Sequence, residues 1–430
     1  MIPTTRAALL TAAGVVPVLL WPRPLTLWLW VGLVVLACVV DTVLAASPRR
    51  VEVSRAVPAS VRLGEPSSST LTLTHPGPRT LRALVRDAWP PSAGAARNRH
   101  RVTVPVGERR RVRTGLLPVR RGDRPADLVT VRSFGPLGLA ARQASLTAPA
   151  TLRVLPAFSS RRHLPSRLAR LREMDGRAAV LVRGQGTEFD SLREYVIGDD
   201  VRAIDWRATA RRGDVVVRTW RPERDRRVLI VLDTARLSAA RLGDAPRLDA
   251  QIEAALLLAA LASRAGDRVD LVAVDTQVRA RVSGEHGPRL MNALAQAMAP
   301  LEPSLVEISW TTVTQVVRDS LSQRGLVVLL SALEPSAVTS GLLPVAQALT
   351  ADHMVVLASA SDPEVAALRA DRSSADAVYD AAAAERGELE RDAVALRLRR
   401  RGVEVVEAAP DDLAPALADT YLALKAAGRL

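Results

Sequence analysis

"RRVLIVLDTARLS", residues 226–238, is the stretch on which the fold turns: a hydrophobic strand that ends in an aspartate, Asp233. It is followed by "RLDAQIEAALLLAALASRAG", residues 247–266, an amphipathic helix stopped by Gly266. Strand and helix then keep alternating. Residues 268–276, 325–333 and 353–360 read as strands, 288–299 as a helix, and 366–408 as a long helix running into a strand. A last helix reaches Ala427, with Gly428 as its stop. Such alternation predicts a doubly wound, mainly parallel α/β domain over residues 226–430.

Upstream the pattern changes. Over residues 50–156, short alternating runs such as "STLTLTH" and "HRVTVPV" are separated by Gly, Pro and Asp turns, which predicts a membrane-proximal antiparallel β-sandwich. Within it, "VGERRRVR", residues 106–113, reads as a hairpin tip. Residues 157–225 form a basic linker and a charged segment, and residues 1–47 are far more apolar than the rest.

The apolar run of residues 25–46 is long enough to cross a bilayer, with Trp28 and Trp30 near its start, where an interfacial belt belongs. Asp41 is its one costly residue, placed to reach the headgroups. A shorter apolar run, residues 7–21 with Pro17, precedes the turn "PRP" at 22–24, so residues 1–47 predict a transmembrane helical hairpin with both ends on one side. Arg6 flanks one end and Arg49, Arg50 and Arg55 the other, against Arg23 in the turn. The positive-inside rule then places the chain in the cell membrane with its soluble domains cytoplasmic. "LAAS", residues 44–47, imitates a signal-peptide cleavage site, but the apolar stretch before it is too long for one.

Composition narrows the chemistry. Lys plus Arg total 59 against 45 Asp plus Glu, for a net charge of +14, yet Lys425 is the only lysine. An excess of arginine without a recognition motif gives no reason to expect a specific nucleic-acid partner. A basic module after a membrane helix suits contact with the lipid bilayer and its anionic headgroups, and equally a solvated arginine-rich sheet face. One cysteine, Cys38, excludes an internal disulfide, and five scattered histidines offer no zinc spacing. Gly184 and Gly186 do not make a dinucleotide fingerprint, and with no Walker A sequence any ATP hydrolysis belongs to another chain.

The candidate site is "EFDSLREYVIGDDVRAIDWRATARR", residues 188–212. Its acids Glu188, Asp190, Asp199, Asp200 and Asp205 could bind a divalent cation or act as paired acid and base. The nearby Arg193, Arg202, Arg207, Arg211 and Arg212 favour another outcome, in which arginine forks neutralise the acids and fix the segment beside Trp206 as an apolar anchor. Two functions follow: a structural or partner-docking surface, or a divalent-metal-dependent hydrolase or nuclease using the carboxylates of 188–205.

The spacing of Gly186, Glu188, Phe189, Asp190, Leu192, Arg193, Tyr195, Gly198, Asp199, Asp200, Arg202, Ile204, Asp205, Trp206, Ala210 and Arg211 closely resembles the signature of the DUF58 family. "FGPLGL", residues 134–139, is similar to a short motif that family carries, with Gly135 where an aspartate is common. The resemblance implies a membrane-anchored, noncatalytic adaptor or assembly factor working with a MoxR-type AAA+ ATPase. Its docking or structural residues would be Glu188, Asp190, Arg193, Tyr195, Asp199, Asp200, Arg202, Asp205, Trp206 and Arg211. It also implies a von Willebrand A-like domain after the signature. Such a domain holds Mg²⁺ through an Asp-x-Ser-x-Ser strand end, a threonine and a second aspartate. Here Asp233 is followed by Ala235 and Leu237 where the serines belong, while Thr234 and Ser238 fall out of register. The later loop brings Ser331, Ala332 and Glu334. The expectation is a degenerate site with no cofactor, in which Asp233 caps the following turn. Client, pathway and oligomeric state are left open by the sequence.

Overall fold

This computed structural model describes residues 2–181, 188–197, 199–221 and 226–430. The chain divides into two units, Met1–Ala157 and Phe158–Leu430.

In the first unit, three helices open the chain: α1 (Thr5–Ala13), α2 (Val15–Leu20) and α3 (Pro24–Leu44). Pro24 starts α3 at a position where its missing N–H is not needed. Its 21 residues span about 30 Å, the thickness of a bilayer's hydrocarbon core. Among the described residues it is the one helix long and apolar enough to cross a membrane; Thr5–Leu20 is apolar but shorter. The first arm folds back on α3, and the Trp30 Nε1 donates to the Leu10 carbonyl at 3.2 Å.

Two sheets follow. One has β2 (Glu52–Ala56), β4 (Ser67–Thr74), β8 (Arg109–Leu116) and β6 (Ala95–Ala96) in that order. The other orders β1 (Ile2–Pro3), β10 (Ala140–Leu155), β9 (Gly122–Phe134), β5 (Leu81–Asp87) and β7 (Arg99–Val104), with β3 (Ser60–Arg62) parallel to β10. Period-2 alternation turns Leu71 and Leu73 of β4 toward Leu81 and Val85 of β5 and Val129 and Val131 of β9. All six are fully buried, each contributing about 2 kcal/mol relative to exposure. Residues 106–113 are not a hairpin tip. β7 pairs with β5 while β8 pairs with β4, so the turn at Gly107 carries the chain from one sheet to the other.

Two sequence expectations change here. Asp41 does not reach outward: it is fully buried, and its carboxylate accepts the N–H groups of Leu137 (2.8 Å), Leu139 (2.7 Å) and Ala140 (2.9 Å). The "FGPLGL" loop thus wraps the last turn of α3, and a Cβ on Gly135 would lie 2.2 Å from the Asp41 Oδ1. Arg55 does not flank the helix either. It is buried against Asp87 at 2.9 Å, bonds the Ala126 and Ala148 carbonyls, and lies over the Trp89 ring. An arginine in a short β-strand has no local mark of such burial.

The second unit begins with α4 (Leu164–Leu181) and a hairpin of β11 (Glu188–Glu194) and β12 (Val216–Arg221), with α5 (Trp206–Arg212) between its strands. The α/β part comprises β13 (Arg227–Asp233), a small ribbon of β14 (Arg241–Leu242) and β15 (Ala245–Pro246), α6 (Arg247–Arg264), β16 (Arg268–Val274) and β17 (Val278–Val282). It continues with α7 (Gly287–Met298), α8 (Trp310–Ser320), β18 (Leu326–Leu330), α9 (Pro335–Ala337), α10 (Leu343–Asp352) and β19 (Met354–Ala360). It ends with α11 (Pro363–Ala370), α12 (Ala375–Arg400), β20 (Val403–Ala408) and α13 (Pro410–Ala426). The sheet order is β17-β16-β13-β18-β19-β20, parallel except for edge strand β17. Along β13, Val228, Ile230 and Leu232 pack toward α6, α7 and α13, while Leu229 and Val231 pack toward α8, α10 and α12. Both faces of the sheet are therefore covered, which is why the strand reads as an unbroken apolar run. The order of strand addition reverses between β13 and β18, which run parallel, and Asp233 ends β13 at that switch point.

Candidate partner-docking site

The signature folds as a hairpin whose turn is built by its own carboxylates. Asp199 accepts both arms of the Arg193 guanidinium, at 2.7 and 2.5 Å, and the N–H of Val196 at 2.9 Å. The Arg193 fork and the Val196 amide together hold its carboxyl below the usual carboxylate range. Asp200 caps the next short turn by accepting the N–H of Arg202 at 2.9 Å. Asp205 caps α5, its Oδ1 accepting the N–H groups of Arg207 and Ala208 at 3.0 Å. Its other oxygen accepts the Arg218 Nε at 2.8 Å, and the Ala208 amide with Arg218 lowers its pKa. Gly213, at φ +85°, ends the helix in the left-handed region. Tyr195 is half-buried, and its N–H donates to the Val215 carbonyl at 2.8 Å.

The pairing differs from the sequence expectation in three ways. Arg193 does neutralise an acid, but Arg202, Arg207, Arg211 and Arg212 are exposed and have no acidic partner among the described residues. Arg218 of β12, outside the motif, supplies the second pair; cross-strand position, invisible in local spacing, decides this. Trp206 is no buried anchor, since it stands 67% exposed at the first turn of α5. Earlier in the same segment, Val196, Ile197 (96% exposed) and Val201 also face solvent. Glu188 and Asp190 lie on β11, Asp190 at a bulge, but their side chains, like Gly186 and Gly198, lie outside the described residues.

At the switch point of the α/β sheet the Asp233 Oδ1 accepts the Ala235 N–H at 2.8 Å and its Oδ2 accepts the Ser331 hydroxyl at 2.5 Å. Ser238 donates to the Asp233 carbonyl at 2.7 Å and bonds Gln251. Burial pushes the Asp233 carboxyl up. The Thr234 hydroxyl is buried without a partner, but Ala235 and Leu237 carry no side-chain oxygen. Asp275 hydrogen-bonds Ser304 at 2.8 Å and pairs with Arg279. With Asp233 engaged by Ser331 and the Ala235 amide, Asp275 by Ser304 and Arg279, and no side-chain oxygen at positions 235 and 237, the donor set for a hard cation is sparse. Among the described residues, no group of three or more His, Cys, Asp or Glu could hold a metal ion.

The family described as "Protein of unknown function DUF58" matches residues 191–406, half of the chain. Curated relatives include the uncharacterized proteins Rv1480 of Mycobacterium tuberculosis and Mb1516 of Mycobacterium bovis, each 28% identical over 155 residues, 35% of this chain. The match spans 48% of those relatives, about half their length. Similar solved structures include the CARDB domain of the PF1109 protein from Pyrococcus furiosus, at 11% identity and TM-score 0.20, covering 27% of this chain and 92% of that one. A FixG-related protein from Vibrio parahaemolyticus is 8% identical with TM-score 0.17, covering 24% and 96%.

Proposed function

The chain belongs to the DUF58 family of proteins of unknown function, and from that premise we propose that it is a membrane-anchored, noncatalytic adaptor or assembly factor for a MoxR-type AAA+ ATPase. In this reading the doubly wound domain is von Willebrand A-like, the N-terminal hairpin sits in the cell membrane, and both soluble units are cytoplasmic. The observation that carries the reading is the inversion at the signature. Its Asp199 and Asp205 are engaged with arginine and backbone amides, while Ile197 and Trp206 face solvent. Arginine and amide donors already occupy both oxygens of Asp199 and of Asp205, which makes these two poor acceptors for a proton or a metal. Exposed aromatic and aliphatic residues interspersed in sequence with arginines have the composition of a protein–protein hot spot. The hydrolase or nuclease reading lacks such support.

The test is co-purification of the full chain from detergent-solubilised membranes. Ile197→Asp with Trp206→Ala should abolish capture of an AAA+ ATPase without changing the melting temperature. Retention of the ATPase by this variant refutes the docking role. Divalent-dependent hydrolysis by the purified chain alone, lost in Asp205→Asn, refutes the noncatalytic reading.

A further inference from the structure

Four guanidinium groups gather at the carboxyl end of α3. Arg49 and Arg50 form the turn directly after the helix, and both are exposed without an acidic partner among the described residues. The Arg79 Nη1 donates to the Val43 carbonyl at 2.6 Å, and the Arg6 Nη1 to the Leu137 carbonyl at 3.4 Å. Leu137 in turn donates its N–H to Asp41. All four therefore lie within a few bonds of the last helical turn, although they come from four parts of the sequence.

We propose that this collar of Arg6, Arg49, Arg50 and Arg79 binds the phosphate headgroups of anionic lipids around the mouth of α3, with Leu137 at the acyl boundary. The inference deepens the membrane reading and rests on it. Two observations choose a lipid as the occupant. First, the surface is continuous with the helix: Val39, Val40, Val43 and Leu44 are exposed immediately before the collar, so hydrocarbon at their level puts headgroups at its level. Exposed Leu137, 54% accessible on the loop held by Asp41, extends that apolar rim. Second, cations outnumber free carboxylates here: exposed Glu52 stands two residues past Arg50, and Glu108 is paired with Arg110. Asp41 is buried and bound to three amides, and Glu52 is the next carboxylate along the chain. The opposite end of α3 carries Arg23 alone.

The experiment reconstitutes the full chain into phosphatidylcholine vesicles holding a minor fraction of phosphatidylglycerol. Spin-labelled forms of each lipid then report association with the protein by electron paramagnetic resonance. Wild type should immobilise spin-labelled phosphatidylglycerol more than phosphatidylcholine, by roughly threefold or more, and lose the preference in high salt. Arg49→Gln with Arg50→Gln, which breaks no contact, should reduce it, and adding Arg79→Gln should reduce it further. Arg23→Gln at the far end should leave it intact. Equal association of the two lipids with incorporated protein overturns the collar while sparing the membrane reading, and leaves the arginines to an acidic protein face. A chain that never floats with the vesicles overturns both.

Discussion

Replacing Asp41 should loosen the grip of the β-sandwich loop on α3. The carboxylate accepts three backbone N–H groups, from Leu137, Leu139 and Ala140, and none of its surface is exposed. Removing one partner of a buried charged interaction costs about 3–5 kcal/mol, because what remains is unsatisfied. Asp41→Ala should fall in that range, since it strands three amides, one of them on fully buried Ala140. Asp41→Asn keeps one accepting oxygen but turns an NH₂ group toward at least one donor, so about 2–3 kcal/mol is expected. For a unit of this size, each 1 kcal/mol lowers the midpoint by roughly 2–4 °C, so Asp41→Asn should melt about 4–12 °C early. Gly135→Ala offers an independent route to the same defect, because its Cβ would lie 2.2 Å from the Asp41 Oδ1. The assay is thermal unfolding of the full chain in detergent micelles, read by circular dichroism, with protease cleavage within 134–140 as a local probe. Thr42→Val is the control, since that hydroxyl bonds only the Cys38 carbonyl one turn back. An Asp41→Asn midpoint equal to that of Thr42→Val, with the loop still resistant, refutes the clamp.

Inside the sandwich, Asp87→Ala should cost about 3–5 kcal/mol by leaving Arg55 buried without its anion, and Arg55→Met with Asp87→Leu should recover most of it; a double mutant no better than the single is the contrary result in denaturant titration. For the signature hairpin, the folded pKa values of Asp199 and Asp205 lie below their unfolded values. Their stabilisation is therefore present above the unfolded carboxylate pKa and is lost as pH falls through the folded ones. Hydrogen-exchange protection of the Val196, Arg207 and Ala208 amides should drop in that acidic window, and protection that persists through it counts against the carboxylate caps. At Asp233 the sign is opposite: its pKa is raised, so the stability it contributes is greatest below the unfolded value and is lost as pH rises through the folded one. Asp233→Asn should raise the melting temperature at neutral pH and leave it unchanged in acid. Destabilisation at neutral pH would instead mean that the site needs a negative charge, as a bound cation would require.

Much of the architecture is readable from periodicity alone, because burial imposes it. Val228–Leu232 is apolar without a break since helices cover both faces of β13, whereas "STLTLT" alternates since β4 has one inner face. The long apolar helix α3 is equally plain, being 21 residues long and apolar almost throughout. What escapes a local reading is every feature set by a distant partner. Asp41 finds its amides 96 to 99 residues away, and Arg55 meets Asp87 across the sandwich. At the candidate site, the spacing of acids and arginines discloses a self-neutralising segment but not the pairs. The hairpin register brings Arg218, not the nearer Arg207, to Asp205. Nor does a tryptophan among charges declare its direction. The hairpin buries Val216 and Val217, while Trp206 at the start of α5 stays 67% exposed.

The same bookkeeping of charge links the two proposed surfaces. The net excess of +14 survives these pairings almost unchanged, because Asp87, Asp267, Asp199 and Asp205 each engage one cation and Asp41 is held by amides alone. Asp41 and Asp87 are fully buried, Asp267 is held by Lys425 at 2.8 Å, and Asp199 and Asp205 serve the turn of the hairpin. Arginines near them are left facing solvent at the helix mouth and around Trp206. Both surfaces thus select for acidic partners through the same physical cause, and both attractions are screened over a Debye length of about 8 Å at physiological salt. The pairs inside the hairpin are in direct contact and partly shielded, so screening weakens them less. Raising salt should therefore release an ATPase from the signature before the hairpin itself loosens. If partner release and loss of amide protection at Val196 coincide across a salt titration, the arginines hold the hairpin together and are not its docking rim.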